Sequence, residues 1–501
     1  MIELTASEVA QATGGRLAAD PQVRVTGPVV ADSRLVETGS LFVALPGQHV
    51  DGADFAPGAV EAGAVLVLAQ RELGTADAPV PAVVVDDVQN ALGDLARFVL
   101  ARLRDAHPAV HVFGITGSVG KTTTKDLLGL LVQGPDPEDT IAPRGSFNSE
   151  VGLPLTVLRG TEKTRSFVME MGADKPGDIT YLASIAGPQV AIILAVGTAH
   201  IANFGSQEAI ANTKAEIIGG VRDGGSVVFN ADDERVMGLV PRATARGLRT
   251  VTFGRVPSAD VRAEDVTVDA TGRASFVLRV RAQVAAAGEV SDDVRVPVRL
   301  RLVGEHHVSN ALAAATAAIL AGQPPAVIAQ RLADAEPGSP HRMAVTERPD
   351  GITVVDDAYN ANPESMRAAL RSLAVMAGRE RRSVAVLGEM LELGDGSRAA
   401  HDAIGRLVVR LNVKLLVVVG DGAYHIHEGA MQEGSWGEES VFVPDLDAAR
   451  AVLDERLRPG DVVLVKASNG SGLWRLGDEL AAGTIGAHGE SEQAGEAGAA
   501  R

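Results

Sequence analysis

A short apolar run, a glycine turn and then leucines at near-helical spacing form the clearest pattern in the chain. Val110, Val112, Phe113 and Ile115 predict a buried strand, and Lys121-Thr122-Thr123 opens a helix carrying Leu127, Leu128, Leu130 and Leu131. Between them runs Gly114-Ile115-Thr116-Gly117-Ser118-Val119-Gly120. Upstream, apolar runs at 41–45, 64–68 and 82–85 alternate with helical stretches, the first being LTASEVAQATGG with Thr5 as N-cap and Gly14-Gly15 as stop. Downstream, runs at 166–173, 190–197 and 226–233 predict further buried strands. Over 250–303 charged and apolar residues alternate, as in antiparallel strands with one wet face. An Ala-rich helix over 311–321 stops at Gly322, and strands at 352–357, 383–388, 413–420, 440–443 and 462–468 alternate with helices.

This pattern predicts an α/β protein of three domains, over 1–105, 106–330 and 331–485, with a small, polar tail at 486–501 expected to be disordered. The middle domain combines a parallel sheet with a small antiparallel section. The third is Rossmann-like but has no GxGxxG after its first strand, so no NAD site is inferred. Aromatic residues are only 3% of the chain against 46% hydrophobic, so the cores must be aliphatic. A formal charge of −18 argues against a nucleic-acid partner, and the absence of cysteine excludes disulfides and thiolate chemistry. The first residues lack a basic and then apolar leader, and no apolar run approaches the ~18 residues that span a bilayer. A soluble cytoplasmic protein without membrane insertion is the expectation.

A strand, a glycine turn and a helix N-terminus make an anion site, because backbone N–H groups and the helix dipole both favour negative charge. Lys121 is then placed to neutralise β- and γ-phosphates, and the Thr122 hydroxyl to ligate Mg²⁺. The strict phosphate-loop pattern has Gly where this chain has Ile115, with Gly114 one position early. Glu170 interrupts an apolar strand, which is costly unless the carboxylate is paired or bound to a cation. His200 follows the next strand; a lone histidine there is usually structural, but Glu170 ends a parallel strand at the edge where ligands gather. For Lys214, in a predicted helix, a solvated side chain is the default. Ser33 and Arg34 precede a strand and can hold a diphosphate or a uracil edge, although composition alone favours a solvated turn.

The core GITGSVGKTTTK stands among other distinctive stretches: LTASEVAQATGGRL, ADSRLVETGSLFVALPGQHVDG, FNSEVGLPLTVL, MEMGADKPGDI, VGTAHIANFGS, VDDAYNANPESM and LGEMLELG. In this order they resemble the ATP-dependent Mur ligases of cell-wall precursor synthesis, over about residues 1–480. An early glycine in the phosphate loop is normal in that family. Within it the stretches are most similar to members that join D-alanyl-D-alanine to UDP-N-acetylmuramoyl tripeptide through an acyl phosphate. The resemblance implies ATP and two Mg²⁺ ions as cofactors, those two small-molecule substrates as partners, and a monomer.

It also implies roles. Thr116, Gly117, Ser118, Val119, Gly120, Lys121 and Thr122 would wrap the ATP phosphates, with Lys121 on the transferring group. Glu170 and His200 match magnesium ligands, and Lys214 matches a lysine that relatives carry as a carbamate helping to hold the second ion. Asn310, Arg342 and Asp357 would hold adenine, phosphate and ribose, with Tyr359 and Asn360 beside the ribose. Ser33, Arg34 and Gly47 fall in the region that binds the UDP group, and Asn148 near the sugar-peptide. Two positions depart from the family. His307 stands where Asn is common, offering one hydrogen bond where an amide offers two. Lys466-Ala467-Ser468-Asn469 ends in Asn where Arg is usual, removing a positive charge. The rivals are the diamino-acid-adding ligase of the preceding step, folylpolyglutamate-type ligases, a phosphate-loop small-molecule kinase and a non-catalytic nucleotide-binding regulator. Asn362-Pro363 is flanked by Ala361 and Glu364 rather than by the tetrapeptide of the diamino-acid ligase.

Overall fold

The computed structural model describes residues 1–47, 50–75, 79–198, 201–285, 292–434 and 439–486. His200 and nearly all of the expected tail lie outside the described residues. The first helix, Ala6–Thr13, is held at both ends as its sequence dictates. The Thr5 hydroxyl accepts from Glu8 N at 3.2 Å, Glu8 Oε2 accepts from Thr5 N at 2.7 Å, and Gly14 turns left-handed at φ 64°. A five-stranded sheet follows in the order Arg16–Ala18, Ala82–Val84, Ala64–Ala69, Ser40–Val43, Val29–Val30, parallel except for its first strand. The helix Val88–Ala106 then buries Leu92, Leu95, Val99 and Leu103, joining this unit to the next through one aliphatic core.

The central sheet has nine strands and places the phosphate-loop strand, His111–Thr116, in its interior, between Ser166–Glu170 and Val190–Ile193. All three strands are parallel, so their carboxyl ends open on one edge. Every residue of Ser166–Glu170 is buried, as a continuous apolar run in a covered parallel sheet requires. The antiparallel strands Val261–Val268, Arg273–Val280 and Val294–Val303 extend this same sheet beyond Arg249–Gly254 rather than forming a separate one. Along Arg273–Val280 burial alternates residue by residue, as the charge pattern predicts. The Ala-rich helix runs over His307–Leu320, four residues earlier than expected at its start, because His307 and Val308 are buried in its first turn.

The helix Pro325–Asp334 packs against Val294–Val303 and Lys121–Val132. Beyond it a six-stranded sheet runs Ala344–Glu347, Thr353–Asp356, Val462–Lys466, Ser383–Leu387, Leu415–Val419, Ser440–Val443, parallel apart from its first strand. The connecting segment between the two sheets is bent by two non-glycine residues in left-handed conformation, His341 at φ 55° and Met343 at φ 51°. Among the described residues no helix is long and apolar enough to cross a membrane.

Candidate active site

The phosphate loop folds as the glycines permit. Gly117 lies at φ 156° and Gly120 at φ 85°, and Gly120 is the N-cap from which Lys121–Val132 starts. A Cβ on Gly120 would fall 2.4 Å from Asn310 Oδ1, so the loop and the Ala-rich helix meet without room for a side chain. Thr116 and Ser118 are buried, and Ser118 Oγ accepts from Gly197 N at 2.9 Å, tying the loop to the end of the neighbouring strand. Val119 lies between them and Gly120 at the partly exposed tip. Lys121 Nζ donates to Gly117 O at 2.6 Å, and burial lowers its pKa, against a rise from Glu170.

Thr122 is the meeting point of the site. Its hydroxyl donates to Glu170 Oε2 at 3.2 Å and accepts from Arg342 Nη2 at 3.2 Å. Ser146 donates to the same Glu170 oxygen at 3.3 Å. The other oxygen, Glu170 Oε1, is buried and has no hydrogen-bond partner among the described residues; Lys125 Nζ stands off at 3.8 Å. Burial raises the Glu170 pKa, and Lys125, Lys121 and Arg342 pull it back. An orphaned carboxylate oxygen beside a threonine hydroxyl is a hard, all-oxygen donor set, which suits Mg²⁺ rather than a soft metal.

Lys214 departs from its default reading. In the helix Gln207–Gly220 it is 7% exposed, because its face of the helix turns toward the phosphate-loop strand. Desolvation lowers its pKa to about 7, with a smaller push from Lys121. Helical periodicity alone could not find this, since the position is polar by composition.

Asp357 follows the strand Thr353–Asp356, and Lys466 Nζ pairs with its Oδ2 at 2.5 Å while donating to Asn360 O at 2.8 Å. The Arg342 guanidinium lies over the Tyr359 ring, 4.2 Å from its centre. Arg342, Asp357, Tyr359 and Asn360 are therefore gathered in one place, and Arg342 reaches from there to the phosphate loop. Asn310 Nδ2 lies 3.3 Å from His307 Nδ1, while His307 Nε2 is buried without a hydrogen-bond partner among the described residues. Burial holds the His307 pKa well below the ordinary value, so its ring is neutral.

Among the described residues no hydrogen bond or ion pair ties Ser33, Arg34 or Gly47 to this cluster. Ser33 and Arg34 form a short helical turn in which the exposed Arg34 pairs with Asp32 at 2.6 Å, and Gly47 is exposed. Asn148, by contrast, is anchored beside the phosphate-loop sheet, its carbonyl accepting from Gly172 N at 3.0 Å. Sequence reasoning missed Lys125, Ser146 and Ser339, and gave Lys466 no role of its own. Lys125 closes the stretch GITGSVGKTTTK, and its 1% exposure marks it as a structural ammonium rather than surface charge.

The chain is similar to known proteins over most of its length. Residues 28–99 match the Mur ligase family, catalytic domain; residues 115–318 the Mur ligase middle domain; and residues 341–469 the Mur ligase, glutamate ligase domain. A UDP-N-acetylmuramoyl-tripeptide–D-alanyl-D-alanine ligase of Mycobacterium tuberculosis (strain H37Rv) is 45% identical over 517 residues, spanning 96% of this chain and 98% of the relative. The crystal structure of MurF from Acinetobacter baumannii superposes with a TM-score of 0.82 at 30% identity, covering 96% of this chain and 99% of that one. MurF ligase from Thermotoga maritima in complex with ADP gives 0.75 at 29% identity, covering 91% and 98%.

Proposed function

The chain belongs to the Mur ligase family, and from that premise we propose how its residues divide the work of the reaction. It is an ATP-dependent ligase of peptidoglycan precursor synthesis, of the kind that adds D-alanyl-D-alanine to UDP-N-acetylmuramoyl tripeptide. The near full-length likeness to ligases of that name carries this reading over the diamino-acid, kinase and regulator alternatives.

The terminal carboxylate of the tripeptide attacks the γ-phosphorus of ATP, the bond to the β–γ bridging oxygen breaks, and ADP leaves. The amine of D-alanyl-D-alanine attacks the resulting acyl phosphate, inorganic phosphate leaves, and the amine sheds its proton. Both reactants of the first step are anions, so positive charge must be held where they meet. Lys121 and the loop from Thr116 to Thr122 supply it on the phosphates, and Arg342 adds a guanidinium from the far side. Thr122, Glu170, His200 and Lys214, the last as its carbamate, would hold two Mg²⁺ ions, which when bound neutralise further phosphate charge. What supports this is the buried Glu170 Oε1 beside Thr122, which has no hydrogen-bond partner among the described residues.

Lys214, with its pKa at about 7, is largely the free amine above neutrality, the form that adds CO₂ to give a carbamate and a proton. Asn310 would contact adenine, Asp357 the ribose with Tyr359 and Asn360 beside it, Ser33, Arg34 and Gly47 the UDP group, and Asn148 the sugar-peptide. We assign the work to a monomer in the cytoplasm, divided into bodies at about residues 1–105, 106–330 and 331–485. Phosphate release from ATP with the UDP-linked tripeptide, with and without D-alanyl-D-alanine, tests the reading. Release that needs both, with a matching pentapeptide product, is expected. Release that responds to a diamino acid instead would move the enzyme to the preceding step.

A further inference from the structure

We infer that Ser339 is a positioning residue that couples nucleotide binding to binding of the UDP-linked peptide, an inference that rests on the ligase reading above. Ser339 lies in the segment joining the central and C-terminal sheets and is 4% exposed. Its hydroxyl donates to Asp126 Oδ2 at 2.7 Å and accepts from Gly145 N at 3.2 Å. Asp126 pairs with Lys125 at 2.9 Å, and Lys125 Nζ donates to Gly145 O at 2.9 Å and to Pro143 O. The contacts close a ring: Lys125, Gly145, Ser339, Asp126 and back to Lys125. The approach is tight, since a Cβ on Gly338 would fall 2.9 Å from Asp126 Cγ.

Each side of the ring leads to a different ligand. Three residues beyond Ser339, Arg342 reaches Thr122 of the phosphate loop. On the other side, the loop through Pro143 and Gly145 carries Ser146 to Glu170 and Asn148 to the sheet edge beside Gly172. A nucleotide that draws Arg342 into place therefore sets, through one hydroxyl, the loop that faces the sugar-peptide. Buried networks with every member satisfied transmit such a bias because they have few alternative arrangements. By linkage the effect must be equal in both directions.

The test is the dissociation constant of AMP-PNP for the full chain, measured by calorimetry with and without saturating UDP-N-acetylmuramoyl tripeptide. In the wild type the peptide substrate is expected to tighten AMP-PNP binding about fivefold or more. In Ser339→Ala that ratio should fall to near one while AMP-PNP alone binds within about twofold of wild type, and Ser339→Thr should restore it. Asp126→Asn, which keeps the side-chain shape, gives the same readout if Ser339→Ala folds poorly. A ratio unchanged in Ser339→Ala, or a loss of affinity for each ligand alone as large as the loss of coupling, overturns the proposal. Failure of the wild type to bind the tripeptide at all overturns the ligase reading with it.

Discussion

Lys466 Nζ lies 2.5 Å from Asp357 Oδ2, and the lysine is 1% exposed. The ammonium ends the strand Val462–Lys466, whose parallel neighbour Thr353–Asp356 delivers Asp357, so adjacent strands present opposite charges at one sheet edge. Lys466 also donates to Asn360 O, fixing the turn that carries Tyr359 under Arg342. The basic charge absent at Asn469 leaves another, a few residues earlier, committed to Asp357 and to the turn at Asn360.

Replacing Lys466 by Met should strand Asp357 as a largely buried, unpaired carboxylate. Breaking a buried pair from one side costs about 3–5 kcal/mol, well above a surface ion pair. Urea unfolding of Lys466→Met is expected to show a loss of that order, together with a raised KM for ATP. An unchanged midpoint and an unchanged KM would mean that Asp357 and the turn hold themselves.

Glu170→Gln separates function from stability. Burial raises the Glu170 pKa, so the native fold pays to keep a carboxylate there. The amide removes that cost but supplies a neutral ligand in place of an anionic one. The variant should therefore unfold at the same temperature or higher while phosphate release falls about 10²-fold or more, a loss typical of a transition-state electrostatic group. Part of the activity should return at raised Mg²⁺. Full activity at ordinary Mg²⁺ would remove Glu170 from the metal-binding set.

The phosphate loop was legible because its chemistry is local: glycines, a lysine and a threonine at fixed offsets after an apolar run. The parallel strands were legible for the same reason, each being a continuous apolar segment bounded by turns. Lys214 and Lys125 were not, since a lysine within a helical pattern gives no sign of whether its face is covered. Their burial is decided by strands and loops distant in sequence, such as Gly145 for Lys125. Ser339 carries no local signal at all, because both of its partners come from the central domain. The antiparallel strands were read correctly in type, but only pairing at Phe253 and Val261 shows that they prolong the central sheet.

Gly120→Ala tests the junction between the loop and the Ala-rich helix. A φ of 85° strains any L-residue, and the added methyl would meet Asn310 Oδ1 at 2.4 Å. Strain of this kind costs about 1–3 kcal/mol, and relief by moving Asn310 would displace the residue assigned to adenine. The expected result is a modest drop in melting temperature with a disproportionate loss of ATP affinity, read by calorimetry. Equal affinity in the two proteins would show that Asn310 gives way freely and does not position the base.

Lys214 makes stability depend on pH in a way that can be separated from catalysis. Its pKa is about 7 in the folded chain against an ordinary 10.5, so between those values the unfolded chain binds a proton that the native one does not. Stability then rises with pH across that window, by at most about 1.4 kcal/mol per unit, and is flat with respect to this group below it. Urea unfolding from pH 7 to 9.5 in CO₂-free buffer should show the rise in wild type, and Lys214→Met should show it reduced. Adding bicarbonate at pH 8 should then raise the activity of the wild type, because the free amine is the form that takes up CO₂, and leave the low activity of Lys214→Met unchanged. A wild-type stability profile parallel to that of the variant would mean that the buried ammonium keeps its proton, and the carbamate would lose its physical basis.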